Sequence, residues 1–135
     1  MPFGASDEQI LEAAKNFLVL LEKARDLVRQ VPDGVLSGSD STVYLKKLGH
    51  RPLKQEDTEA VIYALGSEQD KRHMAEFRQA QQDISLRLKN TRNIGLVAEQ
   101  AKVPYDQVYK RASHTSRWKP EQMIAIMETL RRLQL

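Results

Sequence analysis

Between residues 87 and 119 the chain carries Arg87, Lys89, Arg92, Lys102, Lys110, Arg111, Arg117 and Lys119, opposed there only by Glu99 and Asp106. Cations gathered at this density bind phosphate oxygens and displace condensed counterions, which is the chemistry expected of a nucleic-acid face. The same charge would also suit a solvated basic surface. The rest of the chain supports the contrast, because residues 1–67 hold eight basic against ten acidic side chains and residues 68–135 hold thirteen against eight. A net charge of +3 for the whole chain therefore hides an uneven distribution.

Other chemistries find little to work with. His50, His73 and His114 lie in separate segments, and none has a metal-ligand spacing. A glycine-rich phosphate loop and a nucleophile elbow are both missing. Asp7/Glu8 and Glu56/Asp57 are adjacent pairs that point apart on a helix, and they suit the positive first turn better than acid-base catalysis. Without cysteine there are neither disulfides nor thiolate zinc sites. These features predict a protein without cofactor, metal or catalytic residues, and so not an enzyme. The longest apolar run, residues 60–65, is six residues, against about 18 for a membrane span. No basic segment and apolar core precede Ser6, with Pro2 and Phe3 leading directly to Asp7 and Glu8. The expected location is the cytoplasm.

The elements that must position the basic residues read as helices. A capping box at Ser6 and Gln9 opens a long amphipathic helix whose apolar residues are Ile10, Ala14, Phe17, Leu21, Ala24, Val28 and Val31, spaced alternately four and three apart. Such a seam, with Ile10, Ala14, Phe17, Leu21 and Val28 as its contacts, pairs with a second chain or with another helix of its own chain. Residues 17–21 (FLVLL) are apolar on every side and predict cover from more than one direction. Short helices follow near 41–48 and 55–65, then a long one over 68–89 capped by Ser67 and Asp70. The stretch 90–93 is a break, and Pro120 suits the first turn of a last helix. No strand pattern appears. The expected fold is all-α, a helical bundle. It is divided at residue 67 into an N-terminal region for dimerisation or partner binding (1–67) and a basic C-terminal region (68–135).

The segment 96–113 reads LVAEQAKVPYDQVYKRAS. A proline inside one continuous helix costs roughly 3 kcal/mol, so Pro104 separates two helices. Val97, Ala98 and Ala101 give the first a narrow face that permits close crossing, Val103 packs from the turn, and Val108 and Ala112 give the second its matching face. Asp106, Gln107, Tyr109, Lys110 and Ser113 then point away, with Tyr105 at the leading end. Trp118 reads as a lid over the local core with its N–H left wet, in preference to a wedge into DNA.

Together with the polar loop and KPEQMIAIMETLRRLQ, this segment resembles the helix-turn-helix domain of the Cro and lambda-repressor type over residues 92–133, and within that group the antitoxin-like regulators. Two positions depart from the pattern. Lys102 stands where glycine is usual at the turn, and a left-handed conformation there costs on the order of 1 kcal/mol; Arg111 replaces an apolar residue, leaving the packing to Ala112. The resemblance implies that the second helix enters the major groove by its N-terminal end. Tyr105, Asp106, Gln107, Tyr109 and Lys110 would face the bases, Gln107 on adenine and Lys110 on guanine. Arg92, Asn93, Lys102, Ser113, Arg117 and Lys119 would hold phosphates. The implied function is a sequence-specific transcriptional regulator, a homodimeric repressor with double-stranded DNA as partner. A protein-binding adaptor, or an antitoxin gripping its protein partner through the N-terminal helices, is the alternative.

Overall fold

The Ser6 hydroxyl accepts from the Gln9 N–H at 3.2 Å, and the Gln9 side-chain oxygen accepts from the Ser6 N–H at 2.8 Å, so the first helix starts on a reciprocal cap. The computed structural model describes residues 6–135, apart from the side chain of Ser116. Pro2 and Phe3, from which the lack of a leader is read, lie outside the described residues. The chain forms α1 (Asp7–Leu27), α2 (Asp40–Lys47), α3 (Gln55–Leu65), α4 (Glu68–Lys89), α5 (Ile94–Ala101), α6 (Tyr105–Ser113) and α7 (Pro120–Leu133). Single 3-10 turns cover Val28–Gln30 and Thr115–Arg117. The fold is all-α, with no strand among the described residues. No helix among them is long and apolar enough to cross a membrane.

The helices gather into two packed units, one made of residues up to Leu18 with Ala75–Leu135, the other of Val19–Met74. This grouping differs from a cut at residue 67. At 21 and 22 residues, α1 and α4 are long enough to serve both units, so the first half of α1 joins the C-terminal helices. Charge and composition carry no trace of that sharing.

In the first unit, Phe17 of α1 stacks on Phe77 of α4 with ring centroids 3.9 Å apart and planes 8° from parallel. Ile10, Ala14 and Phe17 are at most 2% exposed. The residues expected to form a dimer seam are therefore buried within the chain itself, since the four-three spacing is met by a helix of the same chain. Val28, in the second unit, is likewise buried, and Leu21 is half-buried. Val19 corrects the expectation of all-round cover, being 65% exposed.

The second unit is organised by two buried carboxylates. Asp70 accepts from the Ser67 N–H at 2.9 Å while the Ser67 hydroxyl accepts from the Asp70 N–H at 3.1 Å, and Lys23 of α1 reaches the same carboxylate at 2.5 Å. Asp57 caps α3 through the Lys54 N–H and holds the buried Lys46 ammonium at 2.9 Å. Gly66 ends α3 for want of space, not for backbone freedom: a Cβ there would lie 2.6 Å from the Ile62 carbonyl oxygen.

Burial pushes the Asp70 carboxyl pKa up, but the Lys23 hydrogen bond, both Ser67 bonds and the Lys23 charge together outweigh it, and the group sits below the usual carboxylate range. A carboxyl whose pKa falls on folding stabilises the fold above its unfolded value near 3.9, and this contribution disappears as pH falls through the lower folded value. Asp70→Asn is expected to cost about 1 kcal/mol at neutral pH, allowing for the half-exposed lysine. Urea unfolding should show the gap from wild type closing below about pH 4.

Candidate nucleic-acid interface

The two helices of the quoted segment meet through a left-handed residue. Lys102 adopts φ 60° and ψ 35° at the end of α5. Its N–H reaches the Glu99 carbonyl at 3.1 Å, and the Val103 N–H reaches Ala98 at 3.0 Å. These are the two bonds of a Schellman ending, with the buried Val103 supplying its apolar contact. Pro104 then takes extended geometry, φ −56° and ψ 134°, and its carbonyl accepts from Gln107 and Val108 to open α6. A lysine thus holds the conformation usually given to glycine. Asn93, ahead of α5, is also left-handed at φ 60°, and it serves the backbone without capping through its side chain.

Behind α6, the chain returns through Trp118, which is 1% exposed. Its indole N–H donates to the Ser85 hydroxyl at 2.9 Å, and the Gln81 amide donates to the Trp118 carbonyl at 2.8 Å. The Ser85 hydroxyl in turn reaches the Arg111 carbonyl at 3.2 Å, tying the end of α6 to α4. Trp118 is a lid, as its sequence position suggests, but its N–H is not wet. Ser85 and Gln81 escape a reading based on apolar periodicity. The available signal was two small or amide side chains four apart, in register with the apolar positions Ala80, Ile84 and Leu88.

The outward side of α6 carries Tyr105, Asp106, Tyr109 and Lys110, with the two tyrosines 56% and 71% exposed. Val108 is buried and Ala112 half-buried beneath them. Gln107 departs from expectation. It is half-buried, and its side-chain oxygen accepts from Gln122 of α7 at 3.0 Å and from Arg111 at 3.2 Å. Arg111 also donates to the Arg117 carbonyl at 2.9 Å. Burial and the neighbouring Arg117 pull the Arg111 pKa below its ordinary value, while Asp106 pushes it up. Arg111 is a strut for the loop after α6 more than a surface charge.

Arg92, Asn93, Lys102, Ser113, Arg117 and Lys119 are all exposed. Among the described residues, none of these cations, nor Lys110, has a carboxylate within ion-pair distance. Arg87 is removed from the set, because Asp7 binds it at 2.9 and 3.3 Å and it also donates to Thr91 and to the Leu135 carbonyl. Compared with protein-family models, curated proteins and solved structures, the chain matches none.

Two substitutions probe this arrangement. Lys102→Gly should leave stability equal or raise it by up to about 1 kcal/mol, whereas the β-branched Lys102→Val should lower it by about 1–2 kcal/mol. Ser85→Ala strands the buried indole N–H and should cost about 1–3 kcal/mol in chemical denaturation, with a change in tryptophan fluorescence.

Proposed function

We propose that the chain is a sequence-specific DNA-binding transcriptional regulator of the helix-turn-helix type, using α6 as the helix that enters the major groove. The observation supporting this most strongly is the outward face of α6, with Tyr105, Asp106, Tyr109 and Lys110 exposed and unpaired cations on the segments flanking it. In this reading Lys110 donates to the O6/N7 edge of guanine, and the tyrosines meet thymine methyls or phosphates. Arg92, Lys102, Arg117 and Lys119, with Asn93 and Ser113, hold the backbone and fix register. A bidentate adenine contact by Gln107 requires it to release Gln122 and Arg111, so Gln107 acts on the face mainly by fixing α6 against α7. A homodimeric repressor remains the proposed working form, with contacts other than the buried Ile10, Ala14, Phe17 and Val28.

A second reading has its own support. Val19, Tyr44 and Tyr63, all in residues 19–74, are more than 60% exposed, which favours an additional protein partner of the adaptor or antitoxin kind. The two readings are compatible in one molecule.

Neutralising about five phosphates per subunit gives a slope of log affinity on log salt near −4.5, at about 0.9 per contact. Lys110→Ala should relax preference at one base pair by about 1–3 kcal/mol, and Lys119→Ala should weaken all duplexes alike. Titrations of selected and scrambled duplexes at several salt concentrations check both. Binding that ignores salt, or the opposite behaviour of the two variants, would overturn the docking.

A further inference from the structure

A cleft of about 210 Å³ opens within residues 19–74, and five cations line it: Arg25, Arg29, Lys46, Lys47 and Arg51. Among the described residues, no carboxylate lines it. The lysines are answered from within the unit. Lys46 is 7% exposed and paired with Asp57, and Lys47 donates to the Val31 carbonyl at 3.1 Å with Asp33 at 3.9 Å. The arginines are not. Arg29 is anchored by its Nε to the Lys47 carbonyl at 3.2 Å, which orients the guanidinium without neutralising it. Among the described residues, Arg25 and Arg51 have no carboxylate partner. Glu22 precedes Arg25 by three residues on α1, and Asp26 precedes Arg29 of the following 3-10 turn by three, a helical spacing that commonly gives ion pairs, and neither pair forms.

Three uncompensated guanidiniums at one concavity repel one another, and an anion that enters among them offsets this repulsion through its attraction to each. Guanidinium forks match the oxygens of a phosphoryl group, whose double negative charge answers several cations better than a single carboxylate does. The remaining wall is apolar, with Val28, Leu48, Pro52 and Leu53. The volume is below the roughly 300–1,000 Å³ of drug-sized sites, so the organic part must be small. We propose that this cleft binds a small phosphate monoester, the phosphoryl group on Arg25, Arg29 and Arg51 and a compact organic group against the apolar wall. The proposal is independent of what α6 binds.

The test is isothermal titration of the full chain with phenyl phosphate, with inorganic phosphate and with a 20-base-pair duplex, repeated on the double variant Arg25→Gln/Arg51→Gln. Phenyl phosphate should bind at submillimolar concentration and more tightly than inorganic phosphate. The double variant should lose about tenfold or more in phenyl phosphate affinity, at unchanged helicity and thermal midpoint. Arg131→Gln, in the other unit, should bind as wild type does and controls for charge alone. Three results would overturn the proposal: no binding of phenyl phosphate up to about 10 mM, binding that the double variant retains, or a double variant that loses duplex affinity while phenyl phosphate never binds. The last would assign the arginines to nucleic-acid backbone. If the double variant unfolds, Arg51→Lys, which keeps charge but removes the fork, must still weaken phenyl phosphate, and equal binding would count against the site.

Discussion

A tryptophan sealed from solvent must give its indole N–H an acceptor or lose about 1–3 kcal/mol, and Trp118 meets this demand at Ser85 on α4. The same hydroxyl serves the Arg111 carbonyl, so a single buried oxygen joins the loop behind α6 and the last turn of α6 itself to the long helix. Gln81 closes the network on the Trp118 carbonyl. Buried polar groups that are satisfied in this way specify one arrangement, since any shift of α6 along α4 would break several bonds at low dielectric. The outward presentation of Tyr105, Tyr109 and Lys110 follows from that anchorage. Val108 below and the Schellman turn at Lys102 set the angle at which α6 leaves α5.

The anchorage also sorts the basic residues by use. Arg87 binds Asp7, and Arg111 braces Arg117 and Gln107, so both cations are occupied by the fold. Lys102 combines two roles, since it bears the strain of a left-handed turn while keeping its ammonium in solvent. Glycine would relieve the strain and delete the charge. A lysine at this position is therefore a concession in stability that leaves the face more positive, consistent with a phosphate-binding surface.

Much of the fold was legible because local signals dominate helices. The capping boxes at Ser6/Gln9 and Ser67/Asp70, the stop at Pro104 and the start at Pro120 each announce an element through its own residues. The outward positions of α6 followed from Val108 and Ala112 alone. What could not be read was partner choice. The spacing of Ile10, Ala14 and Phe17 is the same whether the opposing helix belongs to this chain or to another, and only the stack on Phe77 identifies the occupant. Gln107 looked outward by helical angle, but a long amide can turn back, and Gln122 lies fifteen residues away in sequence. Likewise the cleft lined by Arg25, Arg29 and Arg51 draws on residues from separate elements, which no charge count along the chain brings together.

The most direct measurement is a titration of isotopically labelled protein with a cognate duplex, selected from a random pool, followed by amide chemical-shift changes. The expected result is that the largest changes fall at Arg92, Lys102, Tyr105, Tyr109, Lys110, Arg117 and Lys119, with Ile10, Phe17 and Phe77 unmoved. Failure to select any duplex, or changes confined to residues 19–74 while α6 stays silent, would contradict the assignment of α6 as the DNA-reading helix.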